Sequence, residues 1–207
     1  MNLAPVAIVD YGMGNLRSVQ NAVEHLGGHA VFVSDPMQLR QHQKIILPGV
    51  GAFSQAIACL RKTGLDVALN ERRDAGAHIL GICLGMQLMC TESEEDGIHQ
   101  GLNWFSAKVV RFPLDTGLSV PHMGWNGVDF SRDDPMFASL ESGTDVYFVH
   151  SYRVQCNDRE DVLATTDYGH RFDSIIQRGN VRGIQFHPEK SQGFGLGMIR
   201  NYVELPC

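Results

Sequence analysis

A cysteine between two glycines is the first feature of the sequence that could do chemistry. Cys83 stands in the run GICLG, with an apolar stretch before it and a helical pattern after it. This spacing is the thiol version of the Gly-x-Ser-x-Gly elbow, a sharp strand-to-helix turn that projects its nucleophile out of the backbone. A helix N-terminus also favours a thiolate. Because free cysteines are among the most buried residues of proteins, a structural thiol in the core is the alternative.

A histidine and a glutamate near the end of the sequence could activate that cysteine. His187 follows an apolar run, Pro188 restricts the backbone, and Glu189 comes next. A cysteine nucleophile needs a general base, and the base needs a third group that fixes its tautomer. Cys83, His187 and Glu189 supply these three roles. The three could instead be metal ligands, but their spacing is not typical of a metal site, and we expect neither a metal nor another cofactor.

A glycine-rich turn, residues 48–51, directly follows the predicted strand Lys44–Leu47. Glycines at the carboxyl end of a parallel strand lie at the edge where open α/β sheets bind ligands. Their N–H groups can face a developing negative charge. A plain turn into the next helix is the alternative. The earlier pair Gly12 and Gly14 lacks both the third glycine of a dinucleotide motif and a phosphate-binding lysine, so it does not favour nucleotide binding.

The elements that must position these groups alternate between strand and helix. Apolar runs rich in β-branched residues predict strands, and apolar residues three or four apart predict helices. The predicted strands are 6–10, 30–33, 44–47, 78–82, 104–112, 146–154, 162–166, 174–177 and a last one that delivers His187. The predicted helices are 16–26, 53–60, 65–75, one that begins after Cys83, and 198–203. This alternation predicts an α/β fold with an open, mostly parallel but mixed central sheet flanked by helices.

Two further segments allow alternative interpretations. The acidic run 91–96 is predicted to be a solvated helix end and loop. Residues 121–126 are either a packed turn between strands or a contact surface, because Trp and Met are enriched in the cores of interfaces.

The composition predicts a single globular domain over residues 1–207. Hydrophobic residues make up 43% and charged residues 19%, and a net charge of −6 makes nucleic acid an unexpected partner. No apolar run approaches the ~18 residues of a membrane span, and the first ten residues lack a signal-peptide pattern. Five cysteines without a CxxC pair argue against a disulfide framework and for a reducing compartment. We therefore expect a cytoplasmic protein without membrane contacts.

Three separated motifs together resemble the class I glutamine amidotransferases: PGVG, GICLGMQ and FHPEKS. The resemblance spans nearly the whole chain. Within that class, the segments DYGMGNL, LPGVGAF, PHMGWN, YFVHSY and QFHPEKS look like those of the glutaminase subunits of imidazole glycerol phosphate synthases, from histidine biosynthesis. Members of the class commonly carry PGGxG where this chain has PGVG, and the variant favours that subfamily.

The resemblance implies that L-glutamine is hydrolysed through a thioester on Cys83. His187 would pass a proton to the leaving ammonia and then activate water, while Glu189 orients the imidazole. The oxyanion would be held by the N–H of Leu84 together with that of Gly49 or Val50. The residues carried over for the amino-acid end of glutamine are Gln87, Ser151 and Tyr152. For Gln87, a solvent-exposed helix position is the alternative.

A partner chain is expected, because ammonia released into water is mostly protonated and one amidotransferase domain leaves no room for a synthase. The resemblance implies a heterodimer with a (β/α)₈-barrel cyclase that makes imidazole glycerol phosphate and AICAR. The interface residues it implies are Trp125, Tyr147 and Lys190. It also implies low glutaminase activity until the partner is loaded, for which a reorientation of the Gly49–Val50 peptide is one physical route.

Three other interpretations compete with this one. A close paralogue of the same protein could supply ammonia to a different synthase, such as one that aminates a surface sugar. A silent scaffold with the same fold would have no reason to keep Cys83, His187 and Glu189 together. A cysteine peptidase or amidase would share the elbow but would give no reason for Gln87 and the segment 147–152.

Overall fold

The computed structural model describes residues 4–113 and 117–206, so the fifth cysteine, Cys207, lies outside the described residues. The described chain forms one mixed sheet with helices against both faces. The strands are β1 (Val6–Val9), β2 (Ala30–Val33), β3 (Lys44–Leu47), β4 (His78–Ile82), β5 (Cys90–Ser93), β6 (His99–Gln100), β7 (Phe105–Arg111), β8 (His122–Phe130), β9 (Thr144–His150), β10 (Tyr152–Cys156), β11 (Val162–Asp167), β12 (Arg171–Arg178) and β13 (Val181–Ile184).

The helices differ widely in length. The α-helices are α1 (Leu16–His25), α2 (Pro36–Leu39), α3 (Phe53–Thr63), α4 (Leu65–Asp74), α5 (Leu84–Leu88) and α6 (Gln192–Glu204). Short 3₁₀ turns occupy Pro135–Phe137, Arg159–Asp161 and Pro188–Lys190. Helices α1 and α6 pack on one face of the sheet and α3 and α4 on the other, so that two apolar layers enclose the central strands. Strands β1 and β3 are buried along their whole length, which explains their uninterrupted apolar sequences.

The strand order β2-β1-β3-β4-β13-β12-β10-β7-β5-β6 divides the sheet into two parts. The first five strands are parallel to one another. Most of the remaining pairs are antiparallel, including β12 with β13 and the ribbon of β8 and β9 that joins through β11. The mixed sheet is as predicted, but its antiparallel part is larger than the sequence indicated.

Strands β4 and β13 pair in parallel, and this pairing brings the Cys83 elbow next to the segment that carries His187 and Glu189. Ile82 is opposite Ile184 in the register, so both strands end at the same edge of the sheet. The residues that follow, Cys83 and the segment with His187, therefore emerge side by side although they are far apart in sequence.

Two predictions about local structure are wrong, and one of two alternatives for a third segment is excluded. The acidic run 91–96 is not a solvated helix end: its first residues belong to β5, which pairs with β7, and Glu92 forms an ion pair with Lys108 at 2.9 Å. The predicted strand 146–154 is two strands, β9 and β10, separated by a bend at Ser151. Residues 122–126 are the first half of β8, which excludes the packed turn and leaves the alternative of a contact surface.

The glycine-rich run 193–197 was predicted to precede the last helix, whereas it forms the first turns of α6. A Cβ at Gly195 would lie 2.0 Å from the carbonyl oxygen of Pro188. The glycine therefore allows a close packing that outweighs its poor helix propensity.

The elbow itself depends on another close backbone approach. A Cβ at Gly85 would lie 1.8 Å from the carbonyl oxygen of Leu47, at the end of β3. A Cβ at Gly81 would meet the backbone nitrogen of Met86 at 2.7 Å. The glycines on both sides of Cys83 thus let strand and helix pass where a side chain would clash, as the sequence predicted.

We expect Gly85→Ala to destabilise the protein by about 3 kcal/mol or more, because the clash is with backbone that cannot rotate away. Gly193→Ala is the matched control. It has no neighbour within 4 Å of the added Cβ and lies in the first turn of α6, so it should raise stability by about 0.5 kcal/mol. Urea unfolding of both variants measures the difference, and equal free energies of unfolding would contradict the prediction.

Candidate active site

Cys83 adopts a backbone conformation that few non-glycine residues take up. Its dihedral angles are φ 55° and ψ −110°, a conformation that costs of order 1–3 kcal/mol unless its surroundings enforce it. Here the Cys83 N–H donates to the carbonyl of Ile184 at 2.7 Å, and its own carbonyl accepts from the N–H of Gln87 at 3.2 Å. The side chain is buried, yet it forms part of the wall of a cavity. A thiol that served only the core would not need this strained turn.

His187 and Glu189 form a buried hydrogen-bonded pair beside Cys83. The distance between His187 Nδ1 and Glu189 Oε1 is 2.8 Å, and the side chains are 3% and 1% exposed. Because a carboxylate accepts, Nδ1 carries the hydrogen, and Nε2 is the atom that can exchange a proton with the cavity. Nε2 is buried and makes no hydrogen bond of ordinary geometry with the described residues. His187 lines the same cavity as Cys83.

The charge state of His187 follows from its neighbours. Burial alone would lower its pKa, but the interactions with Cys83 and Glu189 outweigh burial and raise the pKa of His187 to about 10. The imidazole therefore carries both of its protons at neutral pH. The charged imidazole can therefore donate from Nε2 towards the sulfur of Cys83.

The backbone around His187 is tied to strand β9. The His187 N–H donates to the carbonyl of Tyr147 at 3.0 Å, and the Tyr147 N–H donates to Ser191 Oγ at 3.0 Å. The Ser191 hydroxyl in turn donates to the carbonyl of His187 at 2.7 Å. This closed set of hydrogen bonds positions His187 relative to β9.

The 48–51 turn packs directly against the elbow. A Cβ at Gly49 would lie 2.7 Å from the hydroxyl of Tyr11 and 2.9 Å from Cβ of Leu84. The Tyr11 hydroxyl donates to the carbonyl of Pro48 at 2.9 Å and anchors the turn. Val50 and Leu84 line the cavity beside Cys83, whereas Gly49 lines a smaller pocket behind it, next to His187 and Glu189.

The cavity has a volume of about 460 Å³, and the three residues predicted to bind substrate, Gln87, Ser151 and Tyr152, line it. Gln87 is buried, which contradicts the alternative of a solvent-exposed helix position. Its Nε2 donates both to the carbonyl of Tyr152, at 2.9 Å, and to Oε1 of Gln185, at 3.1 Å. The amide nitrogen is thus engaged, and Oε1 of Gln87 is left to accept from a ligand. Ser151 and Tyr152 line the same cavity next to Gln87, at the bend between β9 and β10.

Several residues of the cavity were not predicted. Glu95 lies in the acidic run that we interpreted as solvated, but it reaches the cavity and its Oε2 accepts from the N–H of Phe53 at 2.7 Å. Because β5 places it there through long-range pairing, the local sequence carried no signal. Outside the cavity lining, Gln185 is buried next to the Cys83 sulfur; it belongs to the motif QFHPEKS, but no role was predicted for it. The other cavity residues that sequence reasoning did not assign are Gly51, Pro121, Val149 and His150.

A pair of neutral histidines supports the Ser151 bend. His150 Nδ1 lies 2.8 Å from the carbonyl of Tyr152, which can only accept, so Nδ1 carries the hydrogen. His150 Nε2 must then accept from Nδ1 of His122, 3.1 Å away. Burial lowers the pKa of His150 to about 3 and that of His122 to about 4. Both rings are therefore uncharged at neutral pH and surrounded by aromatic side chains such as Phe112.

The three residues predicted to contact a partner lie together on the surface. Trp125 and Tyr147 are paired across β8 and β9, and their rings meet edge to face at 6.0 Å. Lys190 Nζ lies 5.8 Å from the centre of the Tyr147 ring. Trp125 is 48% exposed and Met123, two residues before it, is 62% exposed. We call these four residues the Trp125 patch.

Residues 4–113 and 117–206 contain no cluster of three or more acidic, histidine or cysteine side chains arranged to hold a metal ion. Within the same ranges, no helix has both the length and the apolar character that a membrane crossing requires.

The comparison with known proteins covers nearly the whole chain. Residues 7–204 match the family described as Glutamine amidotransferase class-I. The imidazole glycerol phosphate synthase subunit HisH of Moorella thermoacetica is 48% identical over 203 residues, which cover 98% of this chain and 96% of that protein. The protein of the same name from Syntrophotalea carbinolica is 48% identical over 205 residues, covering 97% of this chain and 100% of that protein.

Solved structures share the fold at much lower sequence identity. A chain of PurLQS from Thermotoga maritima superposes with a TM-score of 0.75 at 18% identity, over 97% of each chain. The crystal structure of another glutamine amidotransferase gives a TM-score of 0.71 at 19% identity, over 92% of this chain and 94% of that one. These two likenesses concern the fold alone.

The two neutral histidines, His150 and His122, lead to a prediction about how the free energy of unfolding changes in acid. Histidines in an unfolded chain titrate near 6.5, whereas His150 and His122 hold no second proton until about 3 and about 4. As the pH falls from 6.5 towards 4, the unfolded chain binds more protons, so the free energy of unfolding should decrease, by up to about 1.4 kcal/mol per pH unit for His150. The raised pKa of His187 changes stability only above 6.5 and does not obscure this window.

His150→Gln should flatten the decrease, and His29→Gln, at an exposed histidine, is the control. Urea unfolding between pH 6.5 and 4.5 measures all three proteins. Parallel curves for the wild type and His150→Gln would show that His150 is not a neutral residue in the folded state.

Proposed function

Because the chain belongs to the class I glutamine amidotransferases, we propose that it is the glutaminase subunit of an imidazole glycerol phosphate synthase. It hydrolyses glutamine to glutamate and ammonia for a second protein chain. The observation that carries this proposal is the buried His187–Glu189 pair, which shares a cavity with Cys83 at its strained elbow. The near full-length similarity to two proteins of that name supports it.

The first step is attack by the Cys83 thiolate, whose proton is held by Nε2 of His187, on the side-chain carbonyl of glutamine. A bond forms between sulfur and carbon, and negative charge develops on the carbonyl oxygen. The N–H of Leu84, in the first turn of α5, and the N–H of Val50 or Gly49 would receive that charge. One such donor is typically worth about 3 kcal/mol of transition-state stabilisation.

His187 then acts first as an acid and afterwards as a base. Because it holds two protons at neutral pH, Nε2 can protonate the leaving nitrogen as the carbon–nitrogen bond breaks. The neutral imidazole that results can take a proton from the water that hydrolyses the thioester. Glu189 accepts from Nδ1 throughout and keeps Nε2 directed at the reaction.

The amino-acid end of glutamine would lie against Gln87, Glu95 and the Ser151 bend. Oε1 of Gln87 can only accept a hydrogen bond, and Glu95 brings a carboxylate into the same cavity. Both suit the α-ammonium group. Ser151 and Tyr152, which line the same cavity, would contact the α-carboxylate.

As part of a synthase, the chain acts in a complex with a partner subunit. We propose that this partner is a (β/α)₈-barrel cyclase that docks on the Trp125 patch and receives ammonia without exposing it to water. The exposed aromatic surface, with one cation beside it, has the composition of an interface core. Tyr147 also places the patch next to His187, because its backbone is hydrogen-bonded to both His187 and Ser191.

We expect glutaminase turnover to rise strongly when a histidine-pathway cyclase and its nucleotide substrate are added. Cys83→Ser should abolish turnover, and His187→Asn should reduce it by at least about 10²-fold, because acid–base catalysis is lost. Glutamate release is the readout, and His29→Gln is the control at an exposed histidine. Stimulation by a different synthase, and none by this cyclase, would favour a paralogue that serves another pathway.

The oxyanion role of the 48–51 turn can be tested with a residue that has no N–H. Val50→Pro should lower partner-stimulated turnover by about 10²-fold if the Val50 N–H holds the oxyanion. Val50→Ala keeps the N–H at this half-exposed position and should leave turnover within about twofold. Equal activity of the two variants would exclude Val50 as a donor and leave Gly49.

A further inference from the structure

Gln185 is a buried polar residue for which the reaction described above has no role. It follows β13, two residues before His187, and its side chain is 0% exposed. Its backbone N–H donates to the carbonyl of Ser174 on β12 at 2.9 Å. A buried amide needs partners for both its nitrogen and its oxygen, and the identity of those partners determines which way it faces.

The orientation of the Gln185 amide follows from one carbonyl group. The carbonyl oxygen of Tyr152 can only accept, so the Gln87 atom 2.9 Å from it is the nitrogen, Nε2. The same nitrogen has a second hydrogen, and its other neighbour, 3.1 Å away, must therefore be the oxygen of Gln185. The Gln185 nitrogen then faces the remaining direction, where Cys83 Sγ lies 3.9 Å from Nε2, within reach of a hydrogen bond to sulfur.

The carbonyl of Tyr152, which determines these orientations, is held in place by a further hydrogen bond. The carbonyl of Tyr152 also accepts from His150 Nδ1 at 2.8 Å, and His150 is a buried neutral ring. A reversal of the Gln87 amide would place two acceptors together at Tyr152 and again at Gln185. The positions of the heavy atoms alone therefore show that the Gln185 atom next to the Cys83 sulfur is the amide nitrogen, which is a hydrogen-bond donor.

We propose that Gln185 is a catalytic residue whose Nε2–H donates to the Cys83 sulfur and holds the thiolate in place for attack. The proposal rests on the nucleophilic role of Cys83 given above. A hydrogen bond to an ionised acceptor is about twice as strong as one between neutral groups, so the interaction favours the thiolate over the thiol. It also fixes the sulfur relative to the cavity, on the side away from solvent.

The Gln185 N–H acts when the thiolate attacks and again when the thiolate is released. While the thioester exists, the electron pair of the thiolate is in the sulfur–carbon bond and the sulfur accepts only weakly. When water attacks, a bond forms between its oxygen and the carbonyl carbon, the sulfur–carbon bond then breaks, and the electron pair returns to sulfur, where the Gln185 N–H receives the charge. The proton from the attacking water goes to His187. Gln185 takes part in neither proton transfer and is unchanged at the end.

The test is the rate at which iodoacetamide alkylates Cys83 in the whole protein at neutral pH, followed by mass spectrometry of the Cys83 peptide. Gln185→Met removes the donor at similar volume, and Gln185→Glu replaces it with an acceptor. We expect alkylation to slow about tenfold in the first variant and more in the second. With the partner present, kcat should fall in parallel while KM changes less than about twofold.

The matched control is Ser174→Ala. Ser174 is fully buried, as Gln185 is, and its carbonyl accepts from the backbone N–H of Gln185. Its hydroxyl has no hydrogen-bond partner among the described residues. It should alkylate at the wild-type rate. A purely structural role for Gln185 would lower the melting temperature of the Gln185 variants without changing the alkylation rate of the folded protein.

A second variant covers the case in which Gln185 variants do not fold. Gln87→Leu, at the cavity wall, leaves Gln185 in place but removes the contact that orients its amide, and alkylation should slow by about threefold. Wild-type alkylation in Gln87→Leu, or in folded Gln185 variants, would overturn the proposal. Alkylation does not depend on glutamine turnover, so slow alkylation combined with an inactive wild type would instead contradict the proposed function.

Discussion

The parallel pairing of β4 with β13 is the constraint on which the site depends. The elbow after β4 carries the sulfur, and the segment after β13 carries the histidine and its carboxylate. Since Ile82 and Ile184 are opposite each other, the two segments leave the sheet at the same height. A shift of two residues in this register would displace the Cys83 backbone relative to that of His187 by about 7 Å along the strand direction. The apolar layers on both faces, which bury every residue of β13, therefore also hold Cys83 and His187 next to each other.

Three histidines at this edge show how surroundings alone determine charge. His187 is next to a carboxylate and a sulfur, which stabilise its charged form. His150 and His122 are buried among aromatic rings and have only carbonyl, amide and imidazole partners. One histidine is thus a charged acid, and the other two are neutral supports for the cavity wall.

The elbow, the adjacent His187 and Glu189 and most helices were predictable because their signals are local. Short motifs and apolar runs specify them without knowledge of distant contacts. The bend at Ser151 had no such signal, since YFVHSYRV has the pattern of one continuous strand. Glu95 and His150 could not be placed because β5 and β9 bring them to the cavity through pairing with strands remote in sequence. The helical run 193–197 was wrongly predicted because tertiary packing at Gly195 outweighs the local preference of glycine.

The position of β13 within the sheet has a consequence for how the protein is made. Among the described strands it is the last along the chain, yet it lies between β4 and β12 rather than at an edge. A chain emerging from the ribosome presents the elbow roughly a hundred residues before the strand that completes it. Until β13 inserts, the edges of β4 and β12 are unpaired and the sulfur has no base beside it. Synthesis therefore yields a chain whose chemistry begins only when β13 enters the middle of the sheet.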